Sequence, residues 1–330
     1  MSPGDGIAAR LAVVQSRTVT TRHGARRAVC SGLVLWFGRA PRMGLVAFSV
    51  ALIPLILVDA RAGAERQSRG EGRIAFTRGE SGAPRPAQLA VIDADGKNRR
   101  VLPPFDVLGL SLSPDGRFIA FKPYSPMAGC SCAPGDLMTI TVDGRLRYRR
   151  VVHHDSLGGG LAWSPDGRSI AFALRGGGIW AVNLSNHRQR RIVRDGWDPT
   201  WSPDGKKLAF ERGQEQAPDL WVVDLATKKE RRLVRNGRSP DWSPDGRRIV
   251  FYRCYPCFIH VIRADGTAQR RLFAGNEPVW SPNGKEIAFI GKDARHHYYD
   301  AIIRARLDGS GRRVLFGQVV CGCGPPDWSR

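Results

Sequence analysis

Several signatures of common function classes are missing from this 330-residue sequence. It contains no G-x-S-x-G motif, the strand-to-helix turn that presents a serine nucleophile in many hydrolases. Its most apolar run, in residues 43–58, is interrupted by Pro54 and ends at Asp59, leaving roughly 15 apolar residues where a membrane-spanning helix needs about 20. The sequence therefore gives no support to nucleophilic catalysis, and it argues against a spanning helix.

Acidic residues are scarce. The chain has 30 Asp and Glu against 51 Lys and Arg, a formal net charge of +21. Residues 1–64 hold eight Arg and two Asp, so the rest keeps 43 basic and 28 acidic residues and a net charge of +15. Nucleic acid is not an expected partner, because exposed aromatic residues that could stack with bases do not alternate with the basic ones.

What the sequence does contain is a repeated ten-residue motif. Five copies are present: LSPDGRFIAF (112–121), WSPDGRSIAF (163–172), WSPDGKKLAF (201–210), WSPDGRRIVF (242–251) and WSPNGKEIAF (280–289). Pro suits the second position of a type I turn, and Gly follows where a positive φ is needed. The residues after the turn alternate between apolar and polar, so each copy predicts a tight hairpin between two strands.

The spacing of the copies predicts a β-propeller. The motif prolines at 114, 165, 203, 244 and 282 lie 51, 38, 41 and 38 residues apart, as expected for blades with loops of variable length. Each copy continues into two further strands, so one unit is a four-stranded antiparallel meander. Residues 73–76 form a second strand without a first, and the chain ends at 326–330 with a first strand without a second. We therefore predict an all-β, six-bladed propeller in which the C-terminal strand completes the N-terminal blade.

The ends of the chain suggest export. We interpret residues 1–64 as a leader with a signal peptide, in which 43–64 is the signal proper, 65–72 as a short linker and 73–330 as the propeller. Arg39 and Arg42 precede the apolar run, residues 62–64 are small enough for cleavage, and Met43 is a candidate start of translation. The location would be periplasmic or extracellular. Membrane contact would come only through the leader before cleavage, or persist as an anchor if the leader is not cleaved.

Six of the seven cysteines are predicted in loops on the face of the propeller where the chain crosses between blades: Cys130, Cys132, Cys254, Cys257, Cys321 and Cys323. In an exported protein such residues indicate disulfides. We expect a local bridge between Cys254 and Cys257. We also expect cross-links that join Cys130 and Cys132 to Cys321 and Cys323. The alternative is zinc held by Cys130, Cys132, Cys321 and Cys323, with the two His-His pairs 153–154 and 296–297 on the same face.

Acidic residues gather where inner strands enter the ring: Asp198, Asp241, Glu277 and Asp327. Carboxylates from several blades could bind calcium or a cationic ligand there. The alternative is structural, with Asp198 and Glu277 as turn residues before Pro, and Asp241 and Asp327 paired with neighbouring Arg. We expect no cofactor and no catalytic residue.

Each outermost strand opens with paired Arg, which predicts a basic belt around the rim: Arg99, Arg100, Arg149, Arg150, Arg190, Arg191, Arg231, Arg232, Arg270, Arg271, Arg312 and Arg313. Such a belt could attract an anionic envelope component. Paired charges on exposed edge strands also discourage association between sheet edges.

The W-S-P-D-G-[RK]-x-[IL]-A-F repeats after a signal peptide resemble the TolB-like six-bladed propellers of bacterial envelope proteins. The resemblance covers residues 73–330; Leu112 and Asn283 depart from the motif, and neither the TolB N-terminal α/β domain nor a prolyl-oligopeptidase-type hydrolase domain is recognisable. It implies a monomeric, non-catalytic interaction module that binds an unknown protein or envelope component. The alternative is a propeller enzyme or metal-dependent small-molecule binder with its site at the channel mouth.

Overall fold

A computed structural model describes residues 72–78, 88–123, 135–143, 149–254, 256–293, 296–319 and 326–329, all within the compact unit Asp59–Arg330. These ranges consist mostly of strands and turns, and they include no helix that could span a bilayer. The predicted leader and residues 65–71 of the predicted linker lie outside the described residues.

The strands form six antiparallel blades of four strands each, numbered I to VI in chain order, which confirms the predicted fold. Blade I opens with β1 (Arg73–Arg78), β2 (Gln88–Asp93) and the first part of β3 (Arg100–Leu112). Blade II contains the rest of β3, β4 (Phe118–Pro123), β5 (Asp136–Thr141) and β6 (Arg149–His153). Blade III contains β7 (Leu157–Trp163), β8 (Ser169–Leu174), β9 (Gly178–Asn183) and β10 (Gln189–Val193).

The second half of the ring follows the same pattern. Blade IV contains β11 (Trp197–Trp201), β12 (Lys207–Gln214), β13 (Ala217–Asp224) and β14 (Glu230–Val234). Blade V contains β15 (Arg238–Trp242), β16 (Arg248–Arg253), β17 (Phe258–Arg263) and β18 (Arg270–Ala274). Blade VI contains β19 (Asn276–Trp280), β20 (Glu286–Asp293), β21 (His296–Arg306) and β22 (Arg313–Val319), and β23 (Asp327–Trp328) returns to blade I.

The ring closes through β23, as the sequence predicts. Trp328 pairs with Ile74, and Asp327 pairs with Ala75 on β1. The Ser329 amide donates to the Arg73 carbonyl at 2.8 Å, and the Arg73 amide donates to Ser329 Oγ at the same distance. The two ends of the propeller therefore share one sheet, which leaves no open edge between them.

One apolar core cluster fills each of the six interfaces between neighbouring blades. The last residue of each inner strand reaches across its interface: Trp163, Trp201, Trp242, Trp280, Trp328 and, where the motif departs, Leu112. The indoles of Trp163 and Trp201 donate to inner-strand carbonyls of the preceding blade at 3.1 and 3.2 Å. The repeated Trp thus joins each blade to its neighbour.

The repeated turns are built by a buried serine. Ser243 Oγ donates to Asp245 Oδ1 at 2.5 Å and accepts the Arg248 amide at 2.9 Å, while Gly246 has a φ of 68°. The other four copies repeat this arrangement, with Asn283 Oδ1 as the acceptor in blade VI. We call the side that carries these turns and the Asp-Gly turns the turn face, and the opposite side the crossing face.

Candidate functional site: a cleft at the channel mouth

The central channel is narrow, with a volume of about 120 Å³ between the inner strands. On the crossing face it opens into a cleft of about 900 Å³. Two positions of the repeat line this cleft. One lies three residues before the last residue of the inner strand and contributes from blades II to VI; the other follows the Ile-Ala-Phe triplet of the second strand and contributes from blades II to V. Side chains at these two positions, together with Arg175, Glu215 and Arg238, determine the chemistry of the mouth.

The inner-strand position has an unusual backbone. Five blades have a positive φ there, namely 93° at Gly109, 80° at Gly160, 45° at Asp198, 44° at Ser239 and 49° at Glu277. A register shift marks the same place in each strand pair. Positive φ is strained for residues other than Gly, and such strain concentrates at functional sites. Blades IV to VI therefore hold two carboxyls and a hydroxyl in a conformation that blades II and III reach with glycine.

Glu211 belongs to the acidic half of the cleft, the part lined by carboxyls from blades IV to VI. It follows Phe210 on β12, and only 1% of its surface is exposed. Its Oε1 accepts the Ser239 amide at 2.6 Å, and its Oε2 accepts Trp197 Nε1 at 3.0 Å. The Asp198 carboxyl is hydrogen-bonded to Glu211. The buried Glu211 carboxyl is thus hydrogen-bonded to the first residues of both β11 and β15.

The paired carboxyls retain a proton more strongly than isolated acids. Burial, followed by the negative charge of Asp198, raises the pKa of Glu211 well above its usual range. Burial also raises the pKa of Asp198. Two close carboxyls cannot both ionise cheaply, so the pair shares a proton. The positive charge of Arg238, whose guanidinium donates to the Glu215 carbonyl, opposes both shifts.

The acidic half extends into blades V and VI. Glu277 is 7% exposed. Burial, followed by the negative charge of Glu277, raises the pKa of Tyr252. Cys254 is also close, since Glu277 and Arg238 both act on its thiol. The Cys254 thiol therefore lies within electrostatic range of two residues that line the cleft.

The other half of the cleft is cationic. Lys122 on β4 is 7% exposed, and its Nζ donates to the Leu157 carbonyl. Burial, followed by the charge of Arg175, lowers the pKa of Lys122. Gly158 to Gly160 form the floor beside these two residues. The mouth is therefore lined by cations from blades II and III and by carboxyls from blades IV to VI, with Arg238 of blade V among the carboxyls.

The four predicted mouth carboxyls separate into two pairs. Asp198 and Glu277 line the cleft, and the interpretation that they are turn residues is wrong, because both lie inside inner strands. Asp241 and Asp327 lie deeper in the channel. Asp241 Oδ2 accepts the Trp280 amide at 2.7 Å, and Asp327 Oδ2 accepts the Leu112 amide at 2.7 Å and Ser111 Oγ at 2.9 Å. The deeper pair links the inner strands of neighbouring blades.

The cysteine and metal predictions are only partly covered by the structure. Cys254 and Cys257 have their Sγ atoms 3.0 Å apart, without a bond between them. Cys130, Cys132, Cys321 and Cys323 lie outside the described residues, as do the side chains of His296 and His297. Within the described ranges, no three His, Cys, Asp or Glu side chains form a group that could hold a metal ion.

His153 and His154 have separate local roles. His153 Nδ1 lies 2.7 Å from Asp136 Oδ1, and its Nε2 lies 3.1 Å from Asp155 Oδ1. The hydrogen bond to Asp136 raises the pKa of His153. His154 Nδ1 accepts the Ser156 amide at 3.3 Å. The two rings therefore have different hydrogen-bond partners.

All twelve arginines of the predicted belt are exposed on, or directly before, the outermost strands. Many have local partners. The guanidiniums of Arg99 and Arg271 lie 5.1 and 4.7 Å from the ring centroids of Phe316 and Phe258, and Arg232 Nη1 lies 3.2 Å from Asp219 Oδ2. Part of the belt is thus neutralised or stacked against its own blade or the neighbouring one.

Sequence reasoning missed Glu211, Lys122 and Arg238. A signal was present, since the residue after the Ile-Ala-Phe triplet is Thr77, Lys122, Ala173, Glu211, Tyr252 or Ile290 in the six blades. All six are buried. Ionisable residues at a position that is otherwise buried and uncharged mark the cleft. Arg238 carried no comparable signal, because its role depends on the bulge beside it.

Comparison with known proteins agrees with this architecture. A sequence model described as the TolB beta propeller domain matches residues 195–320. No curated protein sequence matches the chain significantly. TolB from Acinetobacter baumannii superposes with a TM-score of 0.64 at 20% identity, over 78% of this chain and 66% of that chain. The putative TolB from Agrobacterium tumefaciens gives 0.60 at 21% identity, over 78% and 94%.

A more distant propeller shows how broadly this fold is used. A chain of a nidogen/laminin complex superposes with a TM-score of 0.57 at 10% identity, over 78% of this chain and 97% of that chain. At these identities the likeness concerns the fold alone. Residues 195–320 match the TolB beta propeller domain model, and the part of the chain that the structure describes has the six-bladed β-propeller fold of the TolB structures.

Proposed function

We propose that this propeller is a non-catalytic interaction module of the cell envelope that recognises a protein partner with its crossing face. The observation that carries the proposal is the charged cleft at the channel mouth. There the inner strands have a positive φ at Asp198, Ser239 and Glu277, whereas the Ser-Pro-Asp/Asn-Gly turns of the turn face repeat one motif. Variable surfaces on a rigid scaffold are where recognition concentrates.

The charge distribution of the cleft supports a polar polypeptide segment as the inserted part of the partner. Lys122 and Arg175 can receive a carboxylate, while the carboxyls beside Arg238 can receive an ammonium or guanidinium group. Such a pairing fixes the orientation of the segment, because reversing it would place like charges together. The Cys254–Cys257 hairpin would contribute to the rim of the interface.

Two features support a location in the envelope. The predicted signal peptide directs export, and the fold is shared with TolB proteins. Export would also allow the loop cysteines to oxidise.

Affinity capture from native envelope extracts tests the proposal. Arg175→Ser and Glu215→Gln alter exposed cleft residues and should each reduce recovery of the partner at least several-fold. Arg168→Ser, an exposed cation on the turn face, should leave it unchanged. Equal recovery with all three variants would refute recognition through the crossing face.

The buried carboxyl pair favours one alternative, a small-molecule binder or enzyme with its site at the mouth. Replacing Asp198 by Asn and Glu277 by Gln distinguishes the two functions, because an extended interface should bind its partner more weakly but still measurably, whereas a mouth site should lose its ligand entirely. Asp241 and Asp327 are left intact in this test, since they link blades.

A further inference from the structure

A second cleft lies on the turn face, away from the mouth. It is a groove of about 900 Å³ between blades IV and V, and we call it the IV–V groove. Five of its side chains are cationic: Lys207, Arg231, Arg247, Arg248 and Arg263. Its position on the opposite face makes it independent of the proposed partner site.

The two carboxylates in the groove are committed to their own turns. Asp245 Oδ1 accepts Ser243 Oγ at 2.5 Å and the Arg247 amide at 3.0 Å. Asp265 Oδ1 accepts the Thr267 amide at 2.8 Å and Thr267 Oγ1 at 2.6 Å. Among the described residues, none of the five cations has a carboxylate within ion-pair distance. With five cations and two carboxylates among its lining residues, the groove has a net positive charge.

Two of the cations are held in place. The Arg231 guanidinium donates to the Ala264 and Asp265 carbonyls of the next blade, and Arg248 lies 4.8 Å from the ring centroid of Trp280. A guanidinium carries five N–H donors, so Arg231 retains donors beyond those bonds. Lys207, Arg247 and Arg263 are exposed or partly exposed and can adjust around a ligand. Fixed and adjustable donors together suit a tetrahedral oxyanion with several acceptor oxygens.

A second groove in the same propeller, between blades II and III, can be compared with the IV–V groove. The groove between blades II and III has nearly the same volume, about 910 Å³, but among the lining residues that the structure describes its one Lys or Arg is Arg149, the counterpart of Arg231. In the repeat, Phe118, Ser169 and Asn183 stand where the IV–V groove has Lys207, Arg248 and Arg263. Protection of sheet edges would apply equally to every blade. The extra charge between blades IV and V therefore has a local cause.

We propose that the IV–V groove binds a ligand carrying more than one phosphate group. Arg-rich sites match phosphate oxygens with paired N–H donors, and a multivalent anion would neutralise several of the five cations at once. Such groups occur on free phosphate compounds and on the headgroups of clustered anionic phospholipids, and both present the same oxygens to the groove.

Titration of the purified full chain with inorganic pyrophosphate at low salt tests the site. Wild type should bind saturably, and the double variant Lys207→Gln, Arg263→Asn should bind at least about tenfold more weakly, or about 1.4 kcal/mol. The matched control Arg168→Gln, Arg188→Asn removes the same charge from exposed positions of blade III and should bind like wild type. Equal weakening of both double variants, or no saturable binding by wild type, would overturn the proposal.

Two further measurements secure the interpretation. When pyrophosphate is added to wild type, NMR shifts of backbone amides should change around the IV–V groove and not around the II–III groove. This measurement does not depend on the folding of any variant. The reverse pattern would refute the site. Cosedimentation with phosphatidylcholine vesicles, with and without phosphatidylglycerol, separates the sources. Recruitment by phosphatidylglycerol that the groove variant abolishes assigns a lipid headgroup, whereas pyrophosphate binding without recruitment assigns a free phosphate compound.

Discussion

At the scale of single residues, Glu211 connects ionisation in the cleft to stability of the ring. Its pKa is raised in the folded protein, mainly by burial and then by Asp198. A carboxyl with a raised folded pKa contributes its full stability below its unfolded pKa, and that contribution is lost as the pH rises through the folded pKa. The carboxyl pair therefore stabilises the propeller more at acidic pH than at neutral pH.

Glu211→Gln should remove this dependence. The amide can still accept the Ser239 amide, but it cannot ionise, and one acceptor for Trp197 is lost. We expect the variant to be less stable than wild type near pH 4.5 and the difference to shrink as the pH rises. Urea denaturation of both proteins at several pH values measures it. A difference that stays constant with pH would show that Glu211 does not titrate as inferred.

Two adjacent glycines offer a sharper test of the strained bulge. Gly160 has a φ of 80°, and a Cβ there would lie 2.6 Å from Asp198 Cα. Gly159 is exposed, and a Cβ there would meet nothing within 4 Å. Gly160→Ala should destabilise the propeller by about 2 kcal/mol or more, whereas Gly159→Ala should stay within about 0.5 kcal/mol of wild type. Denaturant midpoints decide this, and similar midpoints for the two variants would disprove the close contact.

At the scale of elements, the five copies of the turn differ in one informative residue. Asn283 in blade VI accepts Ser281 Oγ at 2.8 Å, whereas the carboxylate of Asp204 in blade IV accepts Ser202 Oγ at 2.6 Å. The hydrogen bond from Ser202, followed by that from the Lys206 amide, lowers the pKa of Asp204. A charged acceptor thus strengthens the turn, as expected for charge-assisted hydrogen bonds.

Asn283→Asp should therefore stabilise blade VI, by less than about 1 kcal/mol because the turn is exposed. An acid with a lowered folded pKa stabilises above its unfolded pKa and loses that effect as the pH falls through the folded pKa. The gain should be present at neutral pH and vanish in acid. Asp204→Asn should produce the opposite change. Thermal denaturation of both variants at neutral and acidic pH measures the two effects, and a change in stability that is the same at both pH values would contradict the prediction.

The Cys254–Cys257 hairpin links an element to the proposed compartment. Burial, followed by the hydrogen bond to Cys257, raises the pKa of Cys254 to about 12, so the reduced thiol is a poor nucleophile. With Sγ atoms 3.0 Å apart, a small movement would allow a disulfide. We expect protein purified from the envelope without reductant to contain this bridge, detected by peptide mass mapping with and without reduction. Free thiols at both positions would count against it.

The repeat determined how much could be predicted. Pro, Gly and the alternating residues of each motif copy specify local hairpins, and the unmatched strands at 73–76 and 326–330 specify closure, so the propeller was predictable. The sequence places Asp198 and Glu277 at the mouth but leaves open whether they are turn residues, because a bulge with positive φ before Pro has no simple sequence signature. Glu211 was missed since its significance depends on Ser239 and Trp197, which reach it from other strands.

At the scale of the whole molecule, Trp328 carries the same role as Trp242. Both are nearly fully buried at the end of an inner strand, Trp242 between blades IV and V and Trp328 between blades VI and I. The difference is that β23 is joined to blade I only through pairing, since chain connectivity does not hold it there. Closure of the ring therefore depends on the interactions around these few residues.

Trp328→Ala should destabilise the entire propeller by about 3 to 5 kcal/mol, as much as Trp242→Ala, because each substitution empties one interface of the ring. Deleting residues 325–330 should cost more, since it also removes the β1 pairing and the bonds from Asp327 to blade II. Hydrogen exchange then should increase first in blades I and II after the deletion. If Trp328→Ala were nearly neutral while Trp242→Ala unfolded the protein, the C-terminal strand would be an accessory and the ring would hold without it.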